Sequence, residues 1–584
     1  MGVTIMKTSA ATEDGTLKRH RAWVRWGVVS LVLLALLLLV AQPVGWIFYN
    51  SLHSDQTQAW SLENYSRLFT AKGLLQPLIN SLMLAFSTAA LSTLLGVPLA
   101  WFVARTNMPG RNLVRMLTLG AFVTPSFIGA LGWILLAAPN AGWLNAMYRT
   151  ALGTDGALIN IYSMGGAIFV CAIYTVPYTF TIVASALDEM AVELEDAATT
   201  LGAGVLRTMM SVTIPMVMPA VIVGFILSFI QGMTLFGVPA FLLTPSGTAV
   251  VTTKLAEFYQ LFPPELYMAA AYCMPLLLVT GGLFWVRRKI LGRKRFVMVS
   301  GKTRAGRRID LAKWRWPALA FAMIVPITAV ILPYCALILV SLSKAWGQGP
   351  SLGNLTFHWY RWAILDNAET QSAILHSLGY ATVSATLCVL LGTLIAYIVE
   401  RRLVAGTTFI AAITNFPIII PGIVLSVGFF AAYTQPPLNL YGTAAILVAA
   451  FIATFLPIAY SHGGAILKGI SPDLERVARI LGASEAKTFT DITIPLMRSG
   501  LISGWLLVFI PVMRELSVAV FLITPNTNVM TTLIYNYKDG GSYEAVSAAS
   551  VLLLVGTMAV VGLAQLLNVK LAKHKRARVE AESA

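Results

Sequence analysis

The stretch Leu187-Asp-Glu-Met-Ala-Val-Glu-Leu-Glu-Asp-Ala-Ala-Thr-Thr-Leu-Gly-Ala203, which runs on to Thr213-Ile214-Pro215, occurs twice in the chain. The second copy starts at Leu467, passes through Leu474-Glu475, Ala478 and Leu481-Gly482-Ala483, and ends at Thr493-Ile494-Pro495. Every match is displaced by 280 positions, as from Gly202 to Gly482. Neither copy is apolar enough to cross a bilayer, yet each lies between long apolar segments, so each reads as an ordered piece held at a membrane surface.

The spacing predicts a short helix. Met190, Leu194, Ala197 and Leu201 fall at i, i+4, i+7 and i+11 and form one apolar stripe, and Ile470, Leu474, Val477 and Leu481 repeat it. Ser471 is placed to cap the second helix, with Pro472 in its first turn. Gly202 and Gly482 follow the last apolar position, where positive φ turns the chain. Pro215 and Pro495 mark the entry to the next membrane helix. A plain interfacial helix would share the stripe, but it gives no reason for stripe, glycine and proline to recur together at one displacement.

These stretches resemble the cytoplasmic EAA loop of permease subunits of type I ATP-binding cassette importers, whose pattern is Glu-Ala-Ala, three residues, Gly, then a distant Ile-x-Leu-Pro. Asp196-Ala197-Ala198 with Gly202 matches it with Asp for Glu. Arg476-Val477-Ala478 with Gly482 places Arg where the family prefers an acid. The resemblance implies that Leu194, Glu195, Asp196, Ala198 and Gly202, with Leu474, Glu475, Arg476, Ala478 and Gly482, couple the chain to ATPase subunits.

Composition sets the class. A mean hydropathy of +0.76 with 57% hydrophobic and 11% charged residues over 584 positions is outside the range of soluble chains. Cys171, Cys273, Cys335 and Cys388 all sit in apolar runs and read as small hydrophobes, neither a disulfide set nor a metal site. The formal charge of +16 belongs to basic residues beside membrane segments, so topology explains it better than nucleic acid does.

Twelve apolar spans are readable, at about 26–49, 76–104, 114–137, 162–187, 214–236, 266–286, 316–341, 374–399, 408–432, 441–463, 497–521 and 545–568. Lys18, Arg19, Arg21 and Arg25 precede the first, and the length of that span argues against a cleaved signal peptide. Arg105, Arg111 and Arg115 mark the second loop as cytoplasmic, whereas 138–161 has only Arg149 and 237–265 only Lys254. Between 287 and 315 stand twelve Lys or Arg and one acid, Asp310, a connector suited to anionic lipid. The expected organisation is a first half over 1–286 with its loop at 188–215, the basic linker 287–315, a second half over 316–569 with its loop at 468–495, and the basic tail 570–584. Both termini are expected in the cytoplasm.

The repeat extends beyond the loops. Ser81-Leu82 with Gly96 matches Ser377-Leu378 with Gly392, and Pro125 with Gly132 matches Pro421 with Gly428, all displaced by 296. The change from 296 to 280 puts sixteen extra residues in the first half's 138–161 loop. Two six-span units enter the membrane in the same direction, related by an axis along its normal, and enclose a shared cleft. The expected fold is an all-α polytopic membrane protein.

An ion-coupled carrier would place acids or paired charges deep in its spans, and these are nearly free of them. The chain has no Gly-x-x-x-x-Gly-Lys-Ser/Thr loop, hence no nucleotide site of that kind. Arg514 and Glu515 lie in the eleventh predicted span, with Thr234 at Arg514's equivalent position and Gln231 one turn before it; these four are the candidate pathway or gate residues.

The family resemblance covers essentially the whole chain, including Leu62-Glu63-Asn64-Tyr65 before the second span. Fusion of both halves resembles the ferric iron group and relatives for thiamine and 2-aminoethylphosphonate, with polyamine as a further cargo. It implies two cytoplasmic ATPase subunits, which use the ATP and Mg, and one periplasmic solute-binding protein. The chain itself is then a bacterial inner-membrane permease in contact with lipid, with no catalytic, cofactor or metal site and no nucleic acid.

Overall fold

The computed structural model describes residues 26–57, 59–191, 193–293 and 308–583. The basic N-terminal residues and the middle of the basic linker, 294–307, lie outside these. Among the described residues, ten continuous helices are long and apolar enough to cross a membrane, and an eleventh span results if one bent pair is counted as one.

Twelve straight spans are therefore corrected at the third segment of each half. In the first half Arg111–Gly120 stops and Ser126–Ala137 restarts, and in the second Thr407–Ile419 and Gly422–Tyr433 meet at a 111° bend. Pro125 and Pro421 stand at the restarts in extended conformation. A proline pushes the residue before it out of the helical region, and Ile420 sits at φ −91°, ψ 121°.

Four other prolines leave the helix running but widen it. The π-helical turns Leu37–Ala41, Met209–Thr213, Ile327–Ile331 and Phe489–Thr493 are each followed two residues on by Pro43, Pro215, Pro333 and Pro495. A ring inside a helix has no N–H to give and crowds the carbonyl one turn back, and a wider turn relieves both. Hence Pro215 does not open the fifth span, which is continuous over Met209–Thr234.

Within the first half, the second, fourth and fifth spans close around a polar triangle. Ser92 Oγ, Thr179 Oγ1 and Ser228 Oγ lie 3.1–3.4 Å apart, all buried. Small residues let the backbones approach, the usual basis of helix association in lipid. A Cβ on Gly96 would lie 3.1 Å from Thr179 Cβ, and in the second half a Cβ on Gly392 would meet Ala459 at 2.8 Å.

The halves are interlocked, since the first helix of each packs on the other half. Trp133 donates its indole N–H to Thr328 O (3.0 Å) and Tyr174 its hydroxyl to Ala329 O (2.7 Å), while Tyr433 donates to Leu38 O (2.5 Å). At these crossings glycine is required. A Cβ on Gly132 would lie 2.8 Å from Pro333 Cα, and one on Gly428 2.6 Å from Pro43 O. Gly428→Ala is expected to destabilise by about 1–3 kcal/mol through overpacking. Gly379→Ala, in open space on a helix, is expected to be neutral or stabilising. Thermal unfolding in detergent checks the pair; equal midpoints would contradict the close crossing.

The sixteen-residue insertion is ordered around Asn145. Its amide donates to Ala138 O (2.9 Å) and Ile159 O (2.8 Å) and accepts from Ile159 N–H (3.0 Å), so a single buried side chain closes the loop over helix Trp143–Leu152.

Candidate coupling helices and axial gate

Each repeated motif forms the expected short helix, Glu193–Thr200 in the first half and Pro472–Ile480 in the second. Ser471 Oγ accepts from Asp473 N–H (3.2 Å), so the second helix is capped as its sequence suggests. Both end alike: Gly202 and Gly482 take φ of +85° and +93°, and the N–H groups of Ala203 and Ala483 return to the carbonyls of Ala198 and Ala478, each at 3.0 Å. This six-to-one closure satisfies a last-turn carbonyl and requires the left-handed residue that glycine supplies.

The two faces of these helices have opposite fates. Leu194 and Leu474 are 44% and 49% exposed, and Leu201, Val477, Ile480 and Leu481 are exposed as well. Met190 departs from the stripe: it is buried at the end of the preceding span. The buried face is the one carrying the acid, with Glu195 and Glu475 only 6% and 2% exposed.

Each glutamate is held by an arginine from the end of the second span of its own half. Arg105 Nε donates to Glu195 Oε2 at 3.1 Å, its Nη2 closes a second bond to the same oxygen, and Thr213 Oγ1 donates to Oε1 at 2.6 Å. In the second half Arg401 Nε reaches both oxygens of Glu475 at 3.1 Å and Nη2 reaches Oε1 at 2.9 Å; Thr493 Oγ1 (3.2 Å) and Tyr397 Oη (3.5 Å) complete the shell. The arginines also reach Leu187 O and Ile470 O, just before each helix. The same clamp is thus built twice, joining the second span, the short helix and the π-turn of the fifth span.

The other motif residues sort by face. Asp196 and Arg476 are exposed, and Arg476 Nη1 donates to Asp473 Oδ1 (3.1 Å) on its own helix. Ala478 is buried and Ala198 half-buried against the body. Arg105 and Arg401 were missed as anchors by sequence reasoning, although both close the second span and are displaced by 296.

At the opposite end of the fifth spans the chain folds back, so 237–265 is not a plain loop. Gly237–Leu242 and Val251–Gln260 are helices, with counterparts Ala519–Leu522 and Met530–Asp539. Ser81 Oγ and Ser377 Oγ accept from the N–H of Val251 and Met530, both at 2.7 Å. Thr252 and Thr531 hydroxyls donate to the carbonyls of Leu235 (3.1 Å) and Glu515 (3.0 Å). The repeated Val250-Val-Thr-Thr253 and Val529-Met-Thr-Thr532 was the available signal.

Aromatic rings from these folded-back helices cross between the halves. Tyr259 lies 4.6 Å from Phe521 and 5.0 Å from Phe430, centroid to centroid, and Tyr535 lies 5.8 Å from Phe236. Leu516 would be 3.5 Å from a Cβ on Gly237. These contacts pack the two halves against each other at that level.

Arg514 and Glu515 are not inside a span, which corrects the expectation of helix to 521. The helix ends at Met513, Arg514 N–H turns back to Pro511 O (3.3 Å), and Glu515 Oε1 accepts from Val518 N–H (3.1 Å). The carboxylate thus satisfies a backbone donor of the next turn and diverts the chain. It also lies 3.5 Å from where a Cβ on Gly422 would be, beside the break in the third span. Gln231 and Thr234 bond within the first half instead: the Gln231 amide donates to Tyr178 Oη, and Thr234 Oγ1 to Gln231 O (3.5 Å).

Two repeated halves, interlocked helices and a pair of anchored surface helices define a two-half, all-helical membrane transport protein. The chain belongs to the binding-protein-dependent transport system inner membrane components, whose family profile matches residues 96–294 and 388–573. It is a multi-pass inner-membrane permease of an ABC importer. It is 26% identical over 540 residues to the ferric transport system permease protein FbpB of Actinobacillus pleuropneumoniae, covering 92% of this chain and 77% of that one. It is 25% identical over 246 residues to the putative 2-aminoethylphosphonate transport system permease protein PhnV of Salmonella paratyphi A, covering 42% of this chain and 92% of that one. It is 29% identical over 169 residues to the molybdenum transport system permease protein ModB of Escherichia coli, with 28% and 71% covered.

Proposed function

We propose that the chain is the permease of a ferric iron importer, driven by two cytoplasmic ATPase subunits that use ATP and Mg and fed by a periplasmic solute-binding protein. The observation that carries the coupling role is the exposed apolar face of two helices that are each pinned from behind by an arginine clamped on a buried glutamate. A solvent-facing leucine on a rigidly held helix suits a partner groove, and two equivalent helices suit two partner subunits. In this reading the motif end and both termini are cytoplasmic, as the basic connector favours.

Iron as cargo is supported by the ferric permease relative, which matches over nearly the whole chain in the same two-half arrangement. The 2-aminoethylphosphonate and molybdenum permease relatives match less than half of it. Iron is substrate here, passed between partners, and the chain needs no resident metal site. Reconstituted vesicles containing the permease and ATPase, with iron-loaded binding protein outside the permease's receiving face, should accumulate iron only with ATP. Uptake of 2-aminoethylphosphonate, thiamine or a polyamine in place of iron would reassign the cargo and leave the coupling role standing.

Glu515 is the gate residue in this reading, because its carboxylate sits where the fold-back of one half meets the broken span. Glu515→Gln should change the transport rate by about tenfold, if one charge-assisted bond of about 1.5–3 kcal/mol is weakened. Assembly with the ATPase should persist. Wild-type rates across a full range of binding-protein concentrations would remove Glu515 from the gate.

A further inference from the structure

The second span of the first half ends differently from its repeat, and the difference lies directly behind a coupling helix. A helix leaves its last carbonyls without partners, and something must meet them. In the second half the chain does this itself: Arg402 takes φ +49° and Leu403 N–H returns to Ile398 O at 3.1 Å. In the first half Thr106 is extended instead, at φ −116° and ψ 167°. The partner there comes from the far end of the linker. Ile309 N–H donates to Arg105 O (2.9 Å) and Asn107 N–H to Ile309 O (3.1 Å), a parallel bridge laid on the buried Thr106.

The Asn107 side chain fastens this strap with both ends of its amide. Its Nδ2 donates to Asp310 Oδ1 (2.7 Å), its Oδ1 accepts from Leu311 N–H (3.0 Å), and Asp310 Oδ1 also accepts from Ala312 N–H (2.9 Å). A side chain that donates and accepts at once sets the register of the strap as well as its attachment. The position displaced by 296 is Leu403, which has no amide. Each of these side-chain bonds is exposed and weak by itself, so the link depends on their acting together with the backbone pair.

Arg105 is thereby held from both ends. Its guanidinium grips Glu195 of the first coupling helix, and its carbonyl receives the linker. Past the strap the chain turns at once into the seventh span, with Trp314 N–H returning to Leu311 O (2.8 Å) and helix Arg315–Pro326 following. That helix lies along the first half, its Phe321 ring 5.9 Å from Phe102 of the second span. The strap therefore joins the clamp of the first coupling helix to the leading span of the second half.

We propose that Asn107 is a positioning residue for the first coupling helix. By fastening the strap it makes that helix, the Arg105–Glu195 clamp and the start of the seventh span one body, so that a movement of the helix is passed to the second half as well as the first. The proposal rests on the coupling role given above to the exposed face of this helix.

Spin labels at Leu201→Cys and Trp316→Cys, both exposed positions, read the strap directly in the Cys-free full chain in lipid. They should give one dominant distance, and with the ATPase subunits added that distance should hold through ATP binding and hydrolysis. Ile309→Pro removes the N–H given to Arg105 O, and Asn107→Leu installs the residue of the second half; each should add a second distance component. In Asn107→Leu that component should rise roughly fivefold over wild type, the effect of about 1 kcal/mol. Cargo taken up per ATP hydrolysed should fall by a similar factor while the ATPase stays bound. Exchanging the partners, Asn107→Asp with Asp310→Asn, remakes the side-chain bond with donor and acceptor reversed and should restore both the single distance and the uptake ratio. A second component with uptake per ATP unchanged would overturn the positioning role, since a merely structural strap behaves that way. An unchanged distance in both Ile309→Pro and Asn107→Leu would overturn the strap itself. A full complement of ATPase on Leu194→Asp would instead remove the coupling reading, and the distance measured without ATPase separates that failure from these two.

Discussion

Leu474→Asp should strip most of the ATPase from the purified complex, and Leu194→Asp should do the same from the other half. Each leucine stands on the exposed face of a pinned helix. If that face fills an apolar groove on a partner, an aspartate there leaves a charge desolvated, costing several kcal/mol. Since each 1.4 kcal/mol is tenfold in affinity, about 4 kcal/mol is about a thousandfold. The spans are untouched, so the permease should still insert. Co-purification of the ATPase subunit with each variant measures the effect, and stimulation of ATP hydrolysis by loaded binding protein should vanish with it. Because Arg476 holds a position where Asp196 stands in the first half, the two variants need not be equally severe. A full complement of ATPase in both would mean that these stripes face lipid or the permease itself.

The second large effect is expected behind the helices. Glu475→Leu leaves the part-buried Arg401, its side chain 14% exposed, without its partner; breaking a fully buried pair from one side costs about 3–5 kcal/mol, which is the upper bound here. Here that energy is concentrated where the second span, the short helix and the π-turn meet. The ATPase should remain bound, because the exposed leucines are intact, while binding-protein stimulation and uptake fall sharply. Arg401→Met combined with Glu475→Leu removes both charges and should recover much of the loss, since an apolar pair of similar volume often replaces a buried ion pair without cost. Glu195→Leu with Arg105→Met should behave alike in the first half. Stimulated hydrolysis and uptake at wild-type levels in the single variants would show that the clamp transmits nothing.

Much of this architecture is legible in the sequence because repetition and periodicity survive there. The stripe of Leu194 and Leu474, the glycine turns at 202 and 482 and the two-half plan all follow from spacing. What is hidden depends on distant partners. Periodicity assigns Glu195 to a polar face, and only Arg105, ninety positions away, makes that face an interior one. The broken third spans are hidden because Pro125 and Pro421 sit in runs as apolar as any other span, and a proline there either kinks, widens or stops a helix according to what packs around it. Pro215 and Pro495 show the widening outcome with similar local sequence. The fold-back helices are short and mixed in polarity, so no span-length signal marks them, and Glu515 reads as intramembrane until its carboxylate is seen turning the chain toward Val518.

The coupling claim rests on the two short helices moving with the ATPase cycle, and a spin-label distance between Leu201→Cys and Leu481→Cys measures that motion. Both positions are exposed and end their respective helices. Labels there, in the Cys-free chain assembled with its ATPase subunits in lipid, should draw together when ATP is bound and separate after hydrolysis. A distance distribution that stays the same throughout the cycle, in a complex that still transports, would contradict the account.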